Sequence, residues 1–166
     1  MYTAHFKETN GHFKLGDVHK LEPESVPSTA LATASFPCND LSLAGARKGL
    51  SGKQSSAFWG FVSTVRKMGD RRPPILLIEN VLGFLSAHHG EDFRDALLGL
   101  NELGYSVDPF IIDASWFVPQ SRQRLFVVAK RGEDANTEVP DSPLRPFALR
   151  AFIRLHPEVR WNLAVL

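Results

Sequence analysis

Cysteine is nearly missing from this chain: a single residue, Cys38, stands among 166. One thiol excludes an internal disulfide and fits a reducing compartment. It leaves no cysteine cluster for structural zinc, and the six histidines are scattered except for the adjacent pair His88-His89. Adjacent residues do not converge on a metal as i, i+4 pairs on a helix do, so the pair reads as loop surface and no metal is expected. Net charge is almost absent too, at +1. Without a global field, any footprint for nucleic acid has to be local. Long apolar runs are lacking, which excludes a membrane-spanning helix. The start, Met1-Tyr2-Thr3-Ala4-His5, lacks the charged-then-apolar order of a secretory signal. Together these absences predict a cytoplasmic location. A composition of 43% hydrophobic and 22% charged residues suits one globular domain of this length.

Strand and helix patterns alternate along the chain. Gly16-Asp17-Val18 reads as a turn or strand end, and Leu31 to Phe36 as a strand leading to Cys38. Phe58, Phe61, Val62 and Val65 recur at helical spacing over Ala57 to Met68, with Gly69 as a stop. Ile75-Leu76-Leu77-Ile78 is a continuous apolar run, the pattern of a central strand buried on both faces, and it ends at Glu79-Asn80-Val81. Phe93, Leu97, Leu100 and Leu103 line one face of a second helix that Gly104 terminates. Tyr105 to Ile112 and Leu125 to Ala129 are further strands, separated by the loop Trp116 to Gln120. The prediction is an α/β fold with a mostly parallel sheet and helices on both faces. Residues 1–132 form its body. Residues 133–166 change character: Pro140, Pro143 and Pro146 mark an extended connection, followed by a short helix and an apolar end.

In such a sheet, ligands gather outside the carboxyl ends of the strands. Cys38 and Glu79 each follow a strand at that end. Arg122 and Arg124, at i and i+2, precede another strand, and extended alternation would send both guanidinium groups the same way. A lone cysteine is commonly a small buried hydrophobe, and a thiol hydrolase using His88 or His89 as base is also open. A thiol, a carboxyl and paired arginines together suit attack on an electron-poor ring held by polar contacts.

Four segments carry a specific resemblance. Gly16-Asp17-Val18, Pro37-Cys38-Asn39-Asp40-Leu41-Ser42, Glu79-Asn80-Val81 and Gln120-Ser121-Arg122-Gln123-Arg124 resemble, in order, motifs of the DNA (cytosine-5) methyltransferase family. The resemblance runs from about Gly16 to Lys130. It implies a Rossmann-like S-adenosylmethionine-dependent methyltransferase sheet and double-stranded DNA with a flipped cytosine as partner. Cys38 would be the nucleophile and Glu79 the group on ring nitrogen 3. Arg122 would meet the cytosine oxygen, and Arg124 would support the site. Asp17, Val18 and Pro37 would line the cofactor pocket. Asn80, Gln120, Ser42 and the basic residues Arg47, Lys48 and Lys53 of a glycine-bearing loop would face base and backbone.

The chain also departs from the family. Asn39 and Leu41 stand where Gln and Phe are commoner. The family's Phe-x-Gly-x-Gly cofactor loop and the first two strands of its sheet are absent, so the sheet is expected to be incomplete, with an unpaired edge at the Cys38 strand. The target-recognition domain is absent as well. These gaps imply a fragment, and the resemblance points to the catalytic core of a methyltransferase from a bacterial or phage restriction-modification system. The alternatives are one half of a split enzyme completed by a complementary chain, or an inactive remnant that binds DNA or a partner.

Overall fold

The computed structural model describes residues 13–36, 56–132 and 135–164. Its regular elements are β1 (Leu31–Ser35), α1 (Ser56–Lys67), β2 (Ile75–Val81), α2 (Glu91–Glu102), β3 (Tyr105–Asp113), β4 (Gln123–Arg131) and α3 (Phe147–Leu155). Gly69 and Gly104 follow the first two helices in left-handed backbone, with φ of 56° and 84°, the conformation that stops a helix at no steric cost to glycine. His88, His89 and Gly90 also have positive φ, and both histidines are exposed in the connection from β2 to α2.

The strands form one sheet in the order β1-β2-β4-β3. β1 pairs with β2 in parallel, while β4 lies antiparallel between β2 and β3. The expectation of a mostly parallel sheet therefore holds for strand direction and fails for pairing. β1, β2 and β3 run one way, but only one of the ladders is parallel. The cause is the link from β3 to β4, a loop with no crossover helix, which permits only an antiparallel neighbour.

The core sits on one face of the sheet. Register places Leu76 and Ile78 of β2 beside Ala129 and Val127 of β4, and these in line with Val107 and Pro109 of β3. Phe58, Val62 and Val65 of α1, Phe93, Leu97 and Leu100 of α2, and Leu149, Phe152 and Ile153 of α3 join the same cluster. Among the described residues, then, the helices cover one face rather than both. On the other face Leu31 and Ile75 are 48% and 41% exposed. A row of rings threads the core, from Phe58 to Phe36, Phe84, Phe93 and Phe152, with successive centroids 5.0 to 5.6 Å apart. Each such contact adds about 0.5–1.5 kcal/mol beyond burial alone.

The segment expected to leave the body as an extended connection folds back onto it. Val107 N–H of β3 donates to Arg160 O at 3.0 Å, Asn162 N–H donates to Val107 O at 3.0 Å, and Ile111 N–H donates to Leu144 O at 2.8 Å. Arg145 and Asp108, 1% and 0% exposed, form an ion pair at 2.6 Å. Trp161 is buried, and its indole N–H donates to His156 O at 2.9 Å. The apolar residues of α3 and of the chain end drive this return, because they complete the core that α2 leaves open.

Candidate active site

The site grows from the end of β2. Its apolar run is held between two neighbouring strands, so the chain reaches the carboxyl edge of the sheet in a fixed register, and Glu79 is the first ionisable residue there. Ser35, the last residue of β1, lies directly opposite Glu79 in the parallel ladder. Its hydroxyl donates to Glu79 Oε2. From the other side, Arg124 Nε of β4 donates to Glu79 Oε1 at 2.9 Å, the two side chains being 22% and 28% exposed. Arg124 is in register with Val81 and Glu79 with Phe126. The pair is thus a diagonal contact on one face. Each carboxylate oxygen carries one donor and keeps acceptor capacity for a third group. Arg124 also donates from Nη1 to Gln123 O at 2.8 Å.

Arg122 is placed differently. It lies in the loop before β4, exposed, and its backbone N–H donates to Asp113 Oδ1 at 2.9 Å. Its guanidinium has no hydrogen-bond partner among the described residues. Asp113 closes the whole loop. It also accepts from Ser115 N–H and from the Ser121 hydroxyl, both at 2.9 Å, while Ala114 N–H donates to Arg122 O at 3.2 Å. These donors, the backbone N–H groups of Ser115 and Arg122 first, lower the Asp113 carboxyl to about 2. The closed loop presents Trp116, Phe117 and Val118, which are 50%, 75% and 49% exposed, together with exposed Gln120.

Asn80 turns inward. It is buried, its amide N–H donates to Phe36 O at 3.3 Å, and its amide oxygen accepts from Val81 N–H at 2.8 Å. Expected among the groups facing the base, it instead ties the end of β2 to the residue that precedes Pro37-Cys38. Phe36 is buried between Phe58 and Phe84. The approach to the cysteine segment is therefore fixed by a ring stack and a hydrogen bond. Cys38 itself, with Pro37, Ser42, Arg47, Lys48 and Lys53, lies outside the described residues.

Asp17 and Val18 lie away from this cluster in sequence and line a cavity of about 770 Å³ together with Phe13, Lys14, Leu21 and Val26. Its size is that of a small-molecule pocket. Asp17 Oδ1 accepts from His19 N–H at 2.9 Å, and its second oxygen keeps acceptor capacity. Beside the Asp17 carboxylate the lining carries Lys14, Lys20 and Ser25 among its apolar residues, so the cavity offers both donors and an acceptor to a polar small molecule. Val18 is wedged against α1 at Gly60, where a Cβ would stand 2.7 Å from Val18 Cγ1. Glycine is thus required there for α1 to receive the Asp17-Val18 turn. Among the described residues no group of His, Cys, Asp or Glu side chains could hold a metal ion, and no helix is long and apolar enough to cross a membrane.

Sequence reasoning missed Ser35 and Asp113. A serine before Pro-Cys carries no chemical signature by itself, and Asp113 matters only once its loop is closed. Asp113-Ala114-Ser115, an Asp two residues ahead of a Ser at a strand end, is nevertheless a turn signal that the sequence contains.

Comparison with known proteins places the whole chain rather than single residues. A family model described as C-5 cytosine-specific DNA methylase matches residues 1–155. The type II methyltransferase M.MspI of Moraxella sp is 30% identical over 135 residues, covering 81% of this chain and 32% of that protein. The type II methyltransferase M.DsaV of Dactylococcopsis salina is 32% identical over 151 residues, or 90% of this chain and 41% of that one. Among solved structures, the S. pombe Dnmt2 methyltransferase superposes with a TM-score of 0.56 at 25% identity over 78% of this chain and 42% of its own. The Entamoeba histolytica methyltransferase EhMeth shares the fold with a TM-score of 0.65 at 19% identity, over 84% of this chain and 43% of its own. The chain thus spans about a quarter to two fifths of the length of the curated relatives it matches. On the strength of the family match and of Glu79 and Arg124 meeting at the sheet edge beside the strand that leads to Pro37-Cys38, this chain belongs to the C-5 cytosine-specific DNA methylase family.

Proposed function

We propose that the chain carries the base-activating half of a cytosine-5 methyltransferase acting on DNA from the cytoplasm of a bacterium or phage host, as part of a restriction-modification system. The observation that supports this most directly is the carboxyl of Glu79, held between Ser35 and Arg124 at the end of β2. Carbon 5 of cytosine is a poor nucleophile. In this reading the Cys38 thiolate adds to carbon 6 of a flipped cytosine, and the ring electrons shift to make carbon 5 enamine-like. Glu79 supplies a proton to ring nitrogen 3 and is left as a carboxylate that Arg124 and Ser35 hold. Arg122, exposed on the loop before β4, would donate to the cytosine oxygen and offset the negative charge that develops there. Once carbon 5 carries the methyl group, loss of its proton to a base expels the thiolate from carbon 6, and the proton on ring nitrogen 3 returns to the Glu79 carboxylate. The cavity at Asp17 and Val18 would hold S-adenosylmethionine, with Asp17 accepting from the adenine amino group and Val18 packing against the ring. When bound, the cofactor supplies the methyl group. The open β1 edge suits a further strand supplied by the rest of a longer protein or by a complementary chain.

Covalent trapping tests the reading. Incubation with duplex DNA carrying 5-fluorocytosine and S-adenosylmethionine should give a denaturant-resistant protein–DNA adduct. Cys38→Ala should abolish it, and Glu79→Gln should slow it by about a hundredfold or more. An adduct that survives Cys38→Ala overturns the assignment.

A further inference from the structure

The geometry points to Ser35 as a positioning residue for Glu79, a role that deepens the methyltransferase reading and rests on it. Ser35 is the register partner of Glu79 across the parallel β1-β2 ladder, and its hydroxyl donates to Glu79 Oε2 while Arg124 takes Oε1. Two donors from two different strands, one on each oxygen, define the plane of the carboxyl group. A single donor would leave it free to rotate about its last torsion, which is broad and weakly restrained. The two donors are not equivalent. The arginine can only donate, and it stays charged whatever Glu79 does. The serine hydroxyl donates or accepts by rotating about one bond. It therefore donates to a Glu79 carboxylate, and accepts from a Glu79 carboxylic acid when the proton sits on Oε2. Ser35 thus stays hydrogen-bonded to Glu79 in either protonation state with no heavy atom moving, and the proton passed to the ring leaves from a carboxyl lone pair that neither Ser35 nor Arg124 occupies.

Ser35 also has a second tie that makes the position matter. It ends β1 three residues before Cys38. The next residue, Phe36, is pinned by the Asn80 amide and by two rings. The same short stretch thus fixes the carboxyl of Glu79 and the backbone and ring of Phe36. Ser35 is exposed, so its replacement leaves no cavity, and a loss of function in Ser35→Ala would not be a folding defect.

Two measurements test this on the chain itself. In isotope-edited infrared spectra of protein labelled with carboxyl-13C glutamate, the Glu79 carboxylate band is identified by its loss in Glu79→Gln. Ser35→Ala should move that band, and Ser35→Thr, which keeps the hydroxyl and suits a strand, should leave it in place. In the trapping assay, Ser35→Ala should slow adduct formation by about tenfold with DNA affinity unchanged, as expected for loss of one hydrogen bond to a charged group, and Ser35→Thr should restore it. An unmoved band in Ser35→Ala, or adduct formation at the wild-type rate, overturns the proposal. A band that shifts as expected in a wild-type chain that forms no adduct overturns the functional reading and retains the contact.

Discussion

The two edges of the sheet are finished in different ways. At the β3 edge the chain comes back: Val107 and Ile111 donate to Arg160 and Leu144, the ion pair of Arg145 with Asp108 is sealed from water, and Trp161 closes the core. At the β1 edge no strand pairs outward among the described residues, and Leu31 with its register partner Ile75 is about half exposed. The candidate chemistry clusters toward the unfinished side, at Ser35 and Glu79. The difference shows which part of the molecule is self-sufficient. The β3 side is held by contacts within this chain, whereas among the described residues the β1 side offers unpaired backbone and apolar surface of the kind that accepts another strand or aggregates.

The largest effect should come from breaking the closed edge. Arg145→Ala strands the buried Asp108 carboxyl and should cost about 3–5 kcal/mol of stability in urea unfolding followed by circular dichroism. The double variant Arg145→Met with Asp108→Leu, which replaces both charges with apolar groups, should recover most of that loss. A smaller effect is expected at the β3-β4 loop. The Asp113 carboxyl, lowered to about 2 by the backbone N–H groups it accepts from, supports the loop at neutral pH. Because it is lowered in the folded state, its support is fully present above the ordinary carboxylate value and is lost as pH falls from about 4 to about 2. Fluorescence of Trp116, half exposed on that loop, should follow this transition, and Asp113→Asn should remove it. The smallest effect on stability belongs to the open edge. Leu31→Lys should change unfolding by no more than about 0.5 kcal/mol while lowering the association seen by light scattering, since a lysine on an edge discourages pairing. Unchanged association would mean that the edge is already covered.

Much of this was legible in the sequence because it is local. Strand and helix patterns placed the four strands and the first two helices, the last helix was expected only as a short one somewhere in 147–166, and Glu79 was marked by the apolar run ahead of it. What escaped depends on contacts between distant residues. The direction of β4 follows from pairing, which periodicity does not encode. That Arg124 contacts Glu79 follows from its place in the strand ladder, while Arg122, expected to point the same way as Arg124, lies in the loop before it. Asn80 looks like a recognition group by its motif, yet its neighbours Phe36 and Val81 engage its side chain. Asp108 and Arg145 stand 37 positions apart, so their union could not be read from either segment. The return of the tail was similarly hidden behind three prolines that suggested departure.

The row of rings has a consequence for how the molecule opens. Phe58, Phe36, Phe84, Phe93 and Phe152 come from successive stretches of chain, each filling the gap between its neighbours. Withdrawal of α3 would bare Phe93 and loosen Phe84, and then Phe36. Neighbouring members share buried contact, so their opening should be coupled from the tail to the end of β1. Amide exchange at Phe36 should therefore report the same opening free energy as amides in α2, although the strand it follows lies at the bare edge of the sheet.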